Sequence, residues 1–104
     1  MTLIELKKIL EATGYPVAYS HFDEQQTSPF ITYLVHDSPS FFADNKVYKK
    51  INDVLIELYT TKKDLVAEKK LEDLLDENEI SYEADETFIE SEKLFQRIYE
   101  VRLI

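Results

Sequence analysis

The stretch ADNKVYKKINDVLIELYTTKKDLVAEKKLEDLLDE, residues 43–77, decides the fold because a long strand in it leads directly into a helix. We predict the strand over Lys46–Thr60. Its even positions from 54 to 58 carry Val, Ile and Leu, and side chains two apart in a strand share a face. Leu55, Glu57 and Tyr59 occupy the opposite face, which is amphipathic.

The helix of this stretch has recognisable ends. Thr61–Asp64 supplies capping side chains at its start, and Asn78 is a plausible stop at its end. Between them the apolar residues follow a spacing of three and four, which predicts one buried stripe. The stripe consists of Leu65, Ala67, Leu71, Leu74 and Leu75.

The N-terminal residues predict a second helix, over Thr2–Thr13. Thr2 and Glu5 fit a capping box, in which each side chain satisfies a free backbone N–H of the other residue. Gly14 is the only glycine in the chain, and its place just after the helix indicates a left-handed C-cap.

The remaining segments are rich in β-branched and aromatic residues, which favours strands. The predicted strands are Pro16–Phe22, Phe30–His36, Ile80–Phe88 and Leu94–Ile104, with Asp37–Asn45 irregular and a Glu90–Lys93 turn joining the last two. The order α-β-β-β-α-β-β predicts an α+β two-layer sandwich with a mixed or mainly antiparallel sheet and two helices on one face. At 104 residues, we expect residues 1–104 to form a single domain.

Composition excludes several kinds of site. The chain has no Cys, so it contains no disulfide, thiolate nucleophile or sulfur-bound zinc. The N-terminus lacks the apolar core of a signal peptide, and no apolar run approaches the roughly 20 residues that span a bilayer. We therefore expect a soluble intracellular protein without membrane partners.

The formal charge of −9 is unevenly distributed. Residues 64–92 contain twelve Asp or Glu and two Lys, a net charge of −10, whereas the rest of the chain carries +1. Such a surface repels phosphate backbones, so we expect no nucleic-acid binding. A solvated acidic face that aids solubility is the simplest interpretation.

No group of side chains predicts catalysis or metal binding. A hairpin about Asp23–Ser28 would separate His21 from His36, the only two histidines. Glu68-Lys69-Lys70 has the Glu-x-Lys spacing of metal-dependent nucleases, but residues two apart in a helix point in different directions.

The remaining acidic cluster lacks the alternating ligands and central glycine of an EF-hand, so it predicts a solvated helix face. The cluster comprises Glu72, Asp73, Asp76, Glu77 and Glu79. We therefore expect neither an enzyme nor a cofactor or metal.

Two adjacent aromatic residues, Phe41 and Phe42, stand among turn-forming residues. They are either folded over the sheet edge or anchors for a partner, and Tyr48 and Tyr59 extend such a patch. A basic cluster lies at the two ends of the long strand. Its members are either ordinary surface lysines or, in a homo-oligomer, face the acidic second helix of a neighbour. The cluster consists of Lys46, Lys49, Lys50, Lys62 and Lys63.

Three segments carry a resemblance to known proteins: ATGYPVAYSHF (12–22), FFADNKVYKKINDVLIELYTTKKDLVAEKKLEDLLDENEISYE (41–83) and IESEKLFQRIYEVRLI (89–104). Together they resemble small prophage proteins encoded between the head and tail genes of long-tailed phages. The element order is also similar to that of tail terminator (tail completion) proteins such as lambda minor tail protein U.

The resemblance implies a virion structural protein that works by self-assembly. Members of the family form a hexameric ring that caps the tail tube and joins it to the head connector proteins. The implied location is the host cytoplasm during assembly and then the head–tail junction. Head-closure or neck components, and a non-virion adaptor or regulatory domain, remain alternatives.

On this resemblance, the assembly contact falls on the segment around the two phenylalanines. The expected interface residues are Phe41, Phe42, Asp44, Asn45 and Tyr48. The acidic segment 64–92 is expected to line the ring channel, where like charge lets DNA pass.

Overall fold

The structure, a computed structural model, describes residues 1–37, 40–43 and 46–103, with the backbone alone at 37, 40–43 and 46–50. The elements in these ranges are α1 (Leu3–Glu11), β1 (Val17–Tyr19), β2 (Phe30–Asp37), β3 (Ser40–Ala43), β4 (Lys46–Lys50), β5 (Asn52–Thr60), α2 (Leu65–Glu77), β6 (Tyr82–Ile89) and β7 (Leu94–Leu103). Five strands form one sheet in the order β1-β2-β5-β7-β6, and β3 pairs with β4 in a separate two-stranded sheet.

The sheet is mixed, as the sequence predicted. β1 runs parallel to β2, and the other neighbouring strands are antiparallel. The predicted hairpin about Asp23–Ser28 is therefore wrong. The first strand is also shorter than predicted, because Ser20 adopts a φ of 68° and ends the extended backbone directly after Tyr19. Residues 20–29 then return the chain to the start of β2.

The long predicted strand Lys46–Thr60 is interrupted at Ile51, which divides it into β4 and β5. The segment predicted to be irregular contains β3, whose Phe42 pairs with Val47 of β4. A two-residue separation between short apolar segments is a hairpin signal, but the intervening Asp-Asn lacks the glycine that usually marks one.

Both helices lie on one face of the five-stranded sheet. Ile31 of β2 is opposite Leu58 of β5, and Ile56 of β5 is opposite Tyr99 of β7, so these buried side chains share a face. They join buried residues of both helices in one core: Leu6, Leu10, Ile31, Tyr33, Val54, Ile56, Leu58, Ala67, Leu71, Leu75, Ile80, Tyr99, Val101 and Leu103. The α+β two-layer architecture is confirmed.

The caps of α1 agree with the prediction. The Thr2 hydroxyl accepts from the Glu5 N–H at 3.1 Å, and the Glu5 carboxylate accepts from the Thr2 N–H. The helix ends at Glu11, and Gly14 follows with a φ of 86°, the left-handed conformation expected of it. Any side chain at this position would strain the backbone.

The start of α2 depends on one side chain. Asp64 Oδ1 accepts from the Ala67 N–H at 3.0 Å and so satisfies a donor that the first helical turn leaves free. We predict that Asp64→Ala lowers the free energy of unfolding by about 1 kcal/mol, and that Asp64→Ser retains most of it. Urea unfolding measures both, and equal stabilities for the two variants would contradict the capping role.

Candidate interaction surface

The expected interface residues lie in or beside the β3–β4 hairpin. Phe41 and Phe42 belong to β3 and Tyr48 to β4, and the strand register shifts between the two phenylalanines. The structure describes only the backbone of these three residues, and Asp44 and Asn45 lie outside the described residues. Their role as interface residues stays a prediction.

A network of charged side chains lies between α2 and the sheet. Glu68, whose side chain is only 11% exposed, contacts Lys63 Nζ at 2.8 Å and Arg97 Nε at 3.3 Å. Lys63 also donates to Glu86 of β6 at 2.7 Å. These hydrogen bonds to Glu68 and Glu86 raise the pKa of Lys63. Two cations thus hold a buried carboxylate that faces the sheet.

The same network extends to Glu72 through two tyrosines. Tyr99 donates to Glu72 at 2.7 Å and accepts from Arg97 Nε at 2.9 Å, and Tyr82 donates to Glu72 at 3.3 Å. Burial and the hydrogen bond to Glu72 raise the pKa of Tyr99, which stays protonated and able to donate. The network therefore joins α2, β6 and β7 through satisfied polar groups.

This arrangement corrects the prediction that Glu72 belongs to a solvated helix face. Glu68 and Glu72 are one helical turn apart and next to the buried Leu71, so both point toward the sheet. The sequence contained one signal for this. Arg97 occupies the same alternating face of the last strand as Tyr99 and Val101, so its guanidinium lies on the core side of the sheet. A cation in that position requires a buried carboxylate to pair with it. Lys63, placed in a basic cluster for a neighbouring copy, is instead paired within its own chain.

In the described ranges of the chain, the opposite face of the sheet carries no helix, and we name it the helix-free face. Its centre is aliphatic. Leu34 of β2 lies opposite Leu55 of β5, and Ile98 of β7 lies opposite Glu57, the next residue of β5 on this face after Leu55. The three aliphatic side chains are only partly buried. The face consists of Phe30, Thr32 and Leu34; Asp53, Leu55, Glu57 and Tyr59; Gln96, Ile98, Glu100 and Arg102; and Glu83, Asp85 and Thr87.

Glu57 stands near the middle of the helix-free face and is bound only by neutral donors. It accepts from Thr32 Oγ1 at 3.2 Å, from the Tyr59 hydroxyl at 3.2 Å and from Gln96 Nε2. Among the side chains that the structure describes, no Lys or Arg pairs with it. The carboxylate is thus positioned by its neighbours, and no described cationic side chain compensates its negative charge.

The helix-free face is acidic as a whole. The residues named above include five carboxylates and one guanidinium, a formal charge of −4. The guanidinium, from Arg102, is already bound by Asp53 through two hydrogen bonds of 2.7 and 2.9 Å. The hydrogen bond from Arg102 lowers the pKa of Asp53. An apolar centre with an acidic surround favours a partner that is both apolar and cationic.

An aromatic row borders one end of this face. Phe22 meets Phe30 edge to face with ring centroids 5.6 Å apart, and Phe30 stacks on Tyr59 at 4.9 Å. The loop over residues 20–28 and the turn at residues 91–94 enclose an open groove of about 1170 Å³ beside this row. The groove adjoins this aromatic row, and the side chains of the loop that line it are mostly polar.

The described residues contain no group of three His, Asp or Glu side chains that is arranged to hold a metal ion. His21 and His36 are both exposed, and His21 contacts its sequence neighbours Ser20 and Asp23. Glu68-Lys69-Lys70 lies in a helix, as predicted. In the described part of the chain, no helix is long and apolar enough to cross a bilayer.

No protein-family model and no curated protein matches the sequence. The fold is similar to that of a protein in a solved virion structure. That structure is the virion of a native gene transfer agent (GTA) particle. The similarity has a TM-score of 0.67 at 10% sequence identity and covers 95% of this chain and 85% of the other. At this identity the likeness establishes the shared fold.

Proposed function

We propose that this chain is a non-enzymatic structural protein of a phage or phage-like virion. The observation that carries the proposal is the shared fold with a chain of the gene transfer agent particle over 95% of this sequence. The carboxylates that the structure buries bind Arg, Lys and Tyr side chains of the same chain, so they stabilise the fold. A helix-free face and a separate hairpin suit a protein that acts through protein contacts.

Within such a particle, we assign the chain to the tail terminator or tail completion position at the head–tail junction. The support is the resemblance of residues 12–22, 41–83 and 89–104 to prophage proteins of the head–tail region, together with the α+β fold. In this role, copies of the chain form a ring, hexameric as in the proteins it resembles. The ring contacts the tail tube protein on one side and the head connector proteins on the other.

The virion location is tested by inducing the element that encodes the chain, purifying the particles and identifying their proteins by mass spectrometry. We expect the chain in intact particles, and deletion of its gene to leave heads and tails unjoined in electron micrographs. Complementation from a plasmid restores joined particles. Absence of the chain from purified particles, with joining unaffected by the deletion, would contradict the proposal.

The position at the junction is tested separately with purified proteins. Native mass spectrometry of the chain, mixed in turn with the tail tube protein and the connector protein of the same element, measures which complexes form. A ring bound to the tube protein supports a tail terminator. Binding to the connector alone assigns the chain to head closure or the neck instead.

A further inference from the structure

We propose that the β3–β4 hairpin of one copy of this chain binds the helix-free face of a second copy. We name this hairpin, strands β3 and β4, the arm. The inference rests on the self-assembly in the proposed function and specifies its two contacting surfaces. It differs from the expectation that the whole basic cluster meets the acidic helix of a neighbour, because Lys63 of that cluster is bound by Glu68 and Glu86 of its own chain.

The backbone places the arm beyond the end of the five-stranded sheet. Two residues separate β2 from β3, and Ile51 alone separates β4 from β5, so the arm continues the antiparallel β2–β5 pair. Residues 46–60, at about 3.4 Å per residue, span about 50 Å. The longest dimension of the molecule is 50 Å, against 29 and 23 Å for the other two. The backbone of the arm thus lies along the strand direction, past the last β2–β5 pair.

The composition of the arm complements that face. Its two strands contain Lys46, Lys49 and Lys50 and no acidic residue, a formal charge of +3. The same nine positions include four large apolar residues: Phe41, Phe42, Val47 and Tyr48. A cationic and aromatic strand pair is the kind of partner that an apolar, acidic face binds.

Glu57 is the feature of the face that most directly requires a cation. Glu57 is partly buried, next to Leu55 on its own face and opposite Ile98. Hydrogen bonds from three neutral donors fix the orientation of its carboxylate, so an ammonium group can bind it without a rearrangement. Glu100, which is opposite Leu55, provides a second carboxylate beside the same aliphatic centre. An arm lysine that reaches this point gains a charge-assisted hydrogen bond away from bulk water.

A contact of this kind is heterologous, since the arm and the face are different surfaces of one molecule. Repeated head-to-tail contacts close into a ring when the rotation between copies allows it. The arm has nine strand residues, fewer than the roughly 20–30 residues that each side of a stable interface contributes. A single contact is therefore weak, and closure of the ring or a second partner stabilises the assembly.

The decisive experiment is a cross-link between two copies. Equal amounts of ¹⁴N- and ¹⁵N-labelled chain are mixed at high concentration and treated with a zero-length carbodiimide, which joins amines to carboxylates in contact. We expect peptides that join Lys46, Lys49 or Lys50 to Glu57 or Glu100, with one peptide of each isotope. Finding such cross-links only within one copy, or between copies at other residues, overturns the inference.

Charge reversal provides a second measurement. Lys49→Glu/Lys50→Glu should weaken self-association in sedimentation at least about tenfold, because like charges then oppose each other. The matched control is Lys7→Glu/Lys8→Glu, which makes the same change on the exposed side of α1 and should leave association unchanged. Circular dichroism melting confirms that both variants fold. Equal weakening by the two double variants overturns the inference.

A compensating change makes the assignment specific to the face. Glu57→Lys should weaken association, and combining it with the arm reversal in one chain should restore at least part of the loss. If Glu57→Lys leaves association unchanged, or if the combination is no better than either parent, the arm does not bind this face.

The inference and the proposed function fail in different ways. If the chain is present in particles but arm-to-face cross-links are absent there, the inference is wrong and the virion role stands. If the cross-links form between purified copies but the chain is absent from particles, the virion role is wrong and the contact stands. Cross-links from the arm to the tail tube protein in place of a second copy would assign the arm a different partner.

Discussion

Leu71→Ala is expected to lower the free energy of unfolding by about 2–5 kcal/mol, a large share of the stability of a domain of this size. Leu71 is 0% exposed and lies on the face of α2 that packs against the sheet. Truncation removes its apolar contacts and leaves a cavity between two rigid layers, because neither layer can close over the gap completely. At about 4–8 °C per kcal/mol, the midpoint of thermal unfolding falls by more than about 8 °C.

Val66→Ala on the same helix is the matched control. Val66 is 66% exposed, so its truncation removes few contacts, and alanine favours the helix slightly more than valine does. We expect a change within about 0.5 kcal/mol. Calorimetry and urea unfolding of both variants measure the difference. Similar losses for the two would mean that α2 does not pack as described.

Arg97→Ala is expected to lower the free energy of unfolding by about 2–4 kcal/mol, an effect second only to that of Leu71→Ala. Arg97 contacts Glu68 at 3.3 Å and Glu72 at 3.4 Å, and its side chain is only 24% exposed. Its removal leaves two carboxylates facing the sheet with less positive charge to offset their burial. It also removes the donor to Tyr99, so the loss exceeds that of an ordinary surface ion pair.

The other arginine of the sheet offers a control of the same chemistry. Arg102 binds Asp53 with shorter distances, but its side chain is 55% exposed, and ion pairs that water reaches contribute little. Arg102→Ala should lower the free energy of unfolding by less than about 1 kcal/mol. Adding Glu72→Gln to Arg97→Ala should recover part of the loss, since Arg97 is the cation that the described structure places beside Glu72, whereas Glu68 keeps its ion pair with Lys63. Urea unfolding measures both variants. If Arg97→Ala and Arg102→Ala lower the free energy of unfolding equally, the burial of Arg97 does not determine how much its ion pairs contribute to stability.

Local patterns predicted most of the architecture. Alternation at residues 54–58 identified the core face of β5, and the Thr2–Glu5 capping box and Gly14 identified the two ends of the first helix. These features depend on interactions between residues close in sequence. Their physical causes, strand pleating, helix periodicity and backbone capping, can be evaluated without knowing what lies across the core.

Two errors are local, the missed strand β3 and the break at Ile51, and the others concern contacts between distant segments. Whether β1 runs parallel or antiparallel to β2 depends on how residues 20–29 return, and their composition is compatible with either. Whether a helical glutamate faces water or the sheet depends on the side chain opposite it. Glu72 and Asp73 look alike in the sequence, but only Glu72 meets Tyr82 and Tyr99.

One part of the candidate surface can be recognised in the sequence, whereas the other part becomes apparent only from the strand register. The basic and aromatic character of residues 41–50 is evident from the sequence, and the interface residues predicted there await the cross-linking test. Of the helix-free face, the sequence predicted only that Leu55, Glu57 and Tyr59 share an amphipathic side of one strand. The members of the face come from four strands, and only the register brings Leu34, Leu55 and Ile98 together.

The sequence by itself determined the α+β class, the two capped helices, the alternation of the strands and the concentration of acid in residues 64–92. The tertiary structure alone decided which of those acids are neutralised and which remain available. Glu68 and Glu72 lie between α2 and the sheet, where they bind Arg97, Lys63 and Tyr99, because a carboxylate removed from water is costly unless it is paired. Asp76 and Glu77 belong to the same acidic segment but lie on the exposed side of α2, where water solvates their charge and no such pairing is required.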